Sequence, residues 1–139
     1  TESAIMKDHH SVSDVLAALK QMGVKIAIDD FGTEYSSLNY IKTMPVDRIK
    51  IAMPFVHGIG VNHKDEAIVK AIIVLTQSLD LQVIAEGVET PTQLKFLNQW
   101  MCREIQGYIY YRPMPAAQIE ELLRYEAPSG VFGAIVDNK

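Results

Sequence analysis

Short apolar runs alternate with stretches of helical period along this chain, and that alternation limits its fold more than any other feature. Val24 to Ile28, ending at Asp29, reads as a strand. Arg48 to Met53 and Leu81 to Ala85 read the same way, and Ile105 to Tyr110 is a weaker fourth run. Helical stretches flank them. Val15, Leu16, Leu19 and Met22 share one helical face, with Gly23 as a stop. Ser36 to Met44 carries Leu38 and Ile41 at helical spacing and closes at Pro45. Asn62 opens a long helix with Asp65 and Glu66 in its first turn, where acids suit the dipole, and with Ile68, Ile72, Leu75 and Leu79 as its buried stripe. Thr90-Pro91-Thr92-Gln93 combines an N-cap Thr, a Pro at the first position and a Gln at the third, and Leu94, Leu97 and Met101 form the inner face that follows. A last helix carries Ile119, Leu122 and Leu123, and residues 126–139 have no clear period and read as a tail.

Strand then helix, four times over, predicts a parallel α/β sheet with right-handed crossovers. In such sheets function sits at the carboxyl ends of the strands. Bulk properties narrow the options further. The chain has 139 residues, 48% of them hydrophobic, and a net charge of −4. No apolar run reaches the ~18 residues of a membrane span. Mild acidity argues against sequence-blind binding to DNA, while leaving room for a small phosphorylated ligand bridged by metal. One cysteine, Cys102, excludes a disulfide framework and points to a reducing, cytoplasmic compartment. Thr1 is followed by no basic-then-apolar leader, so the expectation is a piece of a longer product or a processed one.

The run Ile26-Ala27-Ile28 ends in two adjacent aspartates, Asp29 and Asp30. Neighbours on a strand face opposite sides, and like charges raise one another's pKa. Two readings fit. One Asp caps the next helix while the other is solvated, or both carboxylates hold a hard cation through oxygen ligands. Glu86 closes the third run before Gly87, and Gln106 begins the fourth. Lys50 lies inside its run, between Ile49 and Ile51, and must enter a polar cavity or snorkel out. His9, His10, His57 and His63 have no partners at zinc spacing and read as surface or capping residues. Cys102 reads as a buried thiol, and Tyr108, Tyr110 and Tyr111 as packing. No phosphate-binding loop or dinucleotide fingerprint occurs. The order of acids and lysine fits a receiver domain poorly, and Phe31 stands where a haloacid-type phosphatase needs its second Asp.

The blocks IDDFGTEYSSLNYIKTMPVDRIKI, VIAEGVET and QGYIYYRPMP, in this order and spacing, closely resemble the EAL family of cyclic di-GMP phosphodiesterases. The resemblance runs from about Thr1 to Arg124. It implies a TIM-like (β/α)8 barrel of ~250 residues, of which this chain supplies about the last four βα units. Residues 1–125 are then the carboxyl-terminal half of such a domain, and 126–139 the tail. It implies hydrolysis of cyclic di-GMP to linear pGpG with Mg²⁺ or Mn²⁺. Asp29, Asp30 and Glu86 match the family's metal residues, with Glu86 also placed in the catalytic set. Lys50 matches the lysine beside the attacking water, Gln106 a glutamine at the rim, and Glu2 a glutamate that steadies the loop Phe31 to Ser37. The same resemblance implies a homodimer, or pairing with the remaining half of the barrel. Glu34 replaces a usual glycine, Ala52 a usual aspartate, and Met53 and Pro54 usual polar residues. The family's Glu-Ala-Leu signature and two further metal residues are not in this chain. A degenerate domain that senses the dinucleotide, or an inactive truncated scaffold, are therefore the alternatives to an enzyme.

Overall fold

The four strand-like runs pair side by side in a parallel sheet in sequence order, β1 (Ala27–Phe31), β2 (Arg48–Ile51), β3 (Gln82–Glu86) and β4 (Glu104–Gln106). This computed structural model describes residues 9–33 and 38–126. Glu2, Glu34 and the tail beyond 126 lie outside them. Helix α1 (His9–Gln21) precedes β1, and α2 (Leu38–Thr43), α3 (Met53–His57), α4 (His63–Ser78) and α5 (Pro91–Gln99) separate the strands. Helix α6 (Ala116–Glu126) belongs to a second unit that begins at Tyr110; its Leu122 is half-buried and its Ile119 and Leu123 are exposed. No described helix is long and apolar enough to cross a membrane.

The sheet is two-faced. Ile28, Ile49, Ile51, Val83 and Ala85 are buried on one side and join Ile41 of α2, Val56 of α3, Val69, Ile72 and Ile73 of α4 and Leu97 of α5 in one core. Alternation sends Asp29, Arg48, Lys50, Gln82, Ile84, Glu86, Glu104 and Gln106 to the other side, where each is half-buried or exposed. Parallel sheets are normally covered on both faces. Helices on one face and a charged row on the other are the arrangement expected of a stretch of α/β barrel wall.

Several expected boundaries shift, each for a local reason. The second run ends at Ile51 rather than Met53, because Ala52 caps a new helix with Pro54 in its first turn. On α4 the buried stripe is Val69, Ile72, Ile73 and Thr76, a clean i, i+3, i+4, i+7 set, while Ile68 and Leu79 are exposed. The two stripes differ by one residue in phase, and apolar residues stand at both. Thr76 is tolerated because its hydroxyl donates to the Ile73 carbonyl at 2.8 Å. Helix α1 turns Val12 and Leu16 to the core and leaves Val15 exposed, as is Met22 just past its end. Met101 lies past the end of α5 with φ 63 and is exposed, leaving Leu94 and Leu97 inside. The Asn62 cap of α4 and the Thr90–Gln93 capping box of α5 form as the residues predict.

Asp47, just before β2, fastens three segments. One carboxylate oxygen accepts from Lys20 at 3.0 Å and Lys25 at 3.3 Å, and the other from the Ile26 N–H at 2.9 Å. Its own carbonyl accepts from the Gln82 N–H at 3.0 Å, tying the start of β3 to the same point. The Ile26 N–H, then Lys20 with help from Lys25, lower the carboxyl from 3.8 to about 2, and burial opposes them. A depressed carboxylate stabilises the fold above the unfolded value and ceases to do so as pH falls through the folded one. Asp47→Ala is therefore expected to melt at lower temperature near neutrality, and the gap from wild type should close as pH falls from 3.8 towards 2. Thermal melts across that range test it, and a gap that stays constant would contradict the assignment.

Candidate active site at the strand carboxyl ends

The adjacent aspartates owe their placement to a bulge. Ile28 pairs with Ile49 and Phe31 with Ile51, so three steps on β1 face two on β2, and β1 holds one extra residue. Ile28 and Phe31 thereby both stay buried on the helix side, although an odd number of steps separates them. The extra residue is Asp30, with φ 55. Left-handed backbone costs about 1–2 kcal/mol for most side chains, and Asp is among the few that adopt it locally. The Asp30 carbonyl accepts from the Thr33 hydroxyl at 2.9 Å, which holds the turn. Such outliers gather at functional sites. The bulge removes Asp30 from the alternation that would have sent it to the helix side.

Lys50 settles between carboxylates. Its ammonium donates to Asp29 Oδ1 at 2.7 Å and also contacts Glu86 Oε1. Asp29 and Glu86 come from the strands on either side of β2, so one cation joins three neighbouring strands. Partial burial of the ammonium works against its charge, but the bonds to Asp29 and Glu86 outweigh it and hold Lys50 above its ordinary 10.5. At neutral pH it is a proton donor in hydrogen bonds, not a base. Lys50 thus takes the polar-cavity option rather than snorkelling.

Glu86 is the last residue of β3, and Gly87 follows with φ 72. Gln106 lies beside Glu86 in register. It ends β4 rather than beginning it, because the strand spans Glu104–Gln106 and the chain turns back at once. That turn is fixed by the Val88 N–H donating to the Gln106 carbonyl at 3.1 Å and the Ile109 N–H to the Val88 carbonyl at 3.0 Å. Asp29, Lys50, Glu86 and Gln106 therefore lie together at the carboxyl end of the sheet, with Asp30 in the adjoining bulge. Glu2 lies outside the described residues.

A second polar row sits one layer deeper. Arg48 Nε donates to Gln82 Oε1 at 2.7 Å, and its Nη1 lies 3.4 Å from Glu104 Oε2. The alternating Arg48-Ile49-Lys50-Ile51 was its sequence signal, since residues two apart share a face. Cys102 is fully buried, and burial pushes its thiol up to about 12, so it is inert as expected. His63 is a surface residue 3.3 Å from Glu66. Tyr108 and Tyr110 keep large exposed surfaces, short of the packing expected of them.

Carboxylates at the mouth are the donors a hard divalent cation takes. Among the described residues, no group of three His, Cys, Asp or Glu side chains converges closely enough to hold an ion alone. The donor chemistry fits, and the described chain furnishes part of a ligand set with Lys50 inside it.

Residues 1–113 match the sequence model of the EAL domain. Over 124 residues the chain is 45% identical to NbdA, a cyclic di-GMP phosphodiesterase of Pseudomonas aeruginosa, covering 89% of this chain and 16% of that protein. It superposes on the crystal structure of the EAL domain of Mycobacterium smegmatis DcpA with a TM-score of 0.82 and 39% identity, covering 88% of this chain and 55% of that one. Against Klebsiella pneumoniae BlrP1, solved as a manganese and cyclic di-GMP complex, the TM-score is 0.72 at 34% identity, with 78% of this chain and 28% of that one covered. The chain thus spans about a sixth of the NbdA sequence and about half of the DcpA EAL chain. A parallel wall with its charged residues gathered at the strand ends, matched by sequence and by structure to the same family, places this chain in the EAL domain family of TIM-like barrels.

Proposed function

We infer that this chain carries one side of a site that hydrolyses cyclic di-GMP to linear pGpG with the help of Mg²⁺ or Mn²⁺. The observation that carries the reading is Lys50 held between Asp29 and Glu86 at the mouth of three adjacent parallel strands. Asp29, Asp30 and Glu86 are the residues that would hold the ions, together with ligands from the rest of the barrel. When bound, two such ions stabilise charge on the attacking and leaving oxygens of a phosphodiester.

The chain's own groups do the rest. Lys50, kept charged, orients Asp29 and Glu86 and donates to the attacking water or to a phosphate oxygen. Glu86 accepts the proton that water gives up as its oxygen bonds to phosphorus. The bond from phosphorus to the ribose 3′ oxygen breaks, a solvent water protonates that oxygen so that it leaves as a hydroxyl, and Glu86 returns its proton to solvent. Gln106, level with Glu86, offers its side-chain amide to the dinucleotide at the rim. The Arg48–Gln82–Glu104 row fixes the wall beneath. The other side of the polar interior comes from the remaining strands of the barrel or from a second copy.

NbdA's name and the BlrP1 complex support the substrate class. A sensor that binds the dinucleotide without cleaving it is the second reading. It is favoured by Ala52, a fully buried residue with no side-chain cap to offer α3, where the family's usual pattern has an aspartate. Incubating the full-length protein with cyclic di-GMP and Mn²⁺ separates the two. Linear product that disappears in Asp29→Asn, with the melting temperature nearly unchanged, is the expected result. Binding without product would support the sensor, and full activity in Asp29→Asn would overturn the site.

A further inference from the structure

The short helix α3 touches both carboxylate-bearing turns, although neither is near it in sequence. It leaves β2 directly after the strand that carries Lys50. Ala52, Val56 and the following Ile59 anchor it in the core. Phe55, Met53 and His57 reach the two turns. A β-carbon built on Gly32 would lie 2.9 Å from Phe55 Cε2 and 3.6 Å from Ile72 Cδ1. One built on Gly87 would lie 2.4 Å from Met53 Cγ and 3.1 Å from His57 Nε2. Gly32 stands two residues after Asp30, and Gly87 one after Glu86. Both have left-handed backbone, with φ 100 and 72. Each turn therefore needs a glycine for its backbone and again for room, because α3 fills the space a side chain would occupy.

Building on the site proposed above, we propose that α3 is a positioning wedge. Phe55 seats the turn that follows Asp29 and Asp30, and Met53 with His57 seats the turn that follows Glu86. The distance between carboxylates from two different strands is then set by one helical turn anchored in the core. Lys50 holds their side chains from the polar face, and α3 holds their backbones from behind. Met53, Phe55 and His57 are positioning residues, because they act on the site through Gly32 and Gly87.

The test uses the full-length protein with Phe55→Ala, Met53→Ala and the conservative Phe55→Leu. Amide hydrogen exchange is read at Thr33, whose N–H donates to the Asp30 carbonyl, and at Val88, whose N–H donates to the Gln106 carbonyl. Mn²⁺ affinity is read by calorimetry, and kcat and KM on cyclic di-GMP. Phe55→Ala should speed exchange at Thr33, and Met53→Ala at Val88, with the central strands still protected. Each should weaken Mn²⁺ binding by about 10–100-fold, the range for residues that orient ligands, and lower kcat more than KM. Phe55→Leu should recover most of both. Unchanged exchange and affinity at the two turns would overturn the wedge. So would exchange that rises evenly across the sheet, which is the mark of lost stability alone. A wild type that binds Mn²⁺ but cleaves nothing contradicts the hydrolase reading and leaves the wedge to be judged on affinity and exchange. If wild type takes up no Mn²⁺, exchange at the two turns decides it.

Discussion

Lys50→Met in the full-length protein is expected to lower turnover of cyclic di-GMP by about 10²–10³-fold, the usual cost of removing one placed donor from a charged transition state. Methionine keeps the length and most of the apolar stem, so β2 still packs through Ile49 and Ile51. What goes is the ammonium that joins Asp29 to Glu86. Those carboxylates then lose the ammonium that orients them and offsets part of their repulsion, and like charges resist sharing a site. Arg in place of Lys should not rescue the loss, because a forked guanidinium does not reproduce a compact ammonium at 2.7 Å from Asp29. Steady-state kinetics with a thermal melt of each variant checks this. A Lys50→Met protein that melts normally and keeps most of its kcat would remove Lys50 from the mechanism.

Gly107→Ala should cost about 3 kcal/mol or more of folding stability, above the usual penalty for an added methyl. A β-carbon there would sit 2.1 Å from the Val88 carbonyl oxygen and 2.3 Å from the Val88 nitrogen. Both neighbours are backbone, and neither can swing aside as a side-chain tip could. Val88 is also fully buried and makes the two hydrogen bonds that hook the end of β4 to the end of β3. Relieving the clash breaks one or both bonds, each worth about 1 kcal/mol net and more if a buried group is left unpaired. Gln106 and Glu86 would be displaced from the mouth by the same movement. Urea denaturation followed by far-UV circular dichroism measures the loss. A change under about 0.5 kcal/mol, the range of a neutral surface substitution, would show that the hook is not needed.

The order of elements was readable because strands and helices carry different periods, and caps such as Thr90–Gln93 mark helix starts by chemistry alone. Helix α3 was not, since Ala52, Met53, Phe55 and Val56 prolong an apolar run, and only Pro54 hinted at a helix start. The phase of α4 was lost because both candidate stripes are apolar, and packing against β2 and β3 chose between them. Asp29 and Glu86 were legible as strand-end charges and Lys50 as a charge inside its run, and their convergence follows from adjacent parallel strands. The bulge that seats Asp30 left no local signal, because its cause is the pairing of Phe31 with Ile51 across the sheet. Asp47 passed unnoticed for the same reason, since its partners Lys20, Lys25 and Ile26 are remote in sequence.

Asp29, Lys50 and Glu86 share one mouth, and the proposed function requires that mouth to bind divalent ions against a cyclic dinucleotide. The most direct measurement is anomalous diffraction from crystals of the full-length protein grown with Mn²⁺ and cyclic di-GMP. Manganese peaks within coordination distance of carboxylate oxygens of Asp29, Asp30 and Glu86, with a dinucleotide phosphate beside them and Lys50, are the predicted result. Dinucleotide bound at the strand ends with manganese elsewhere, or with none at these carboxylates, would contradict it.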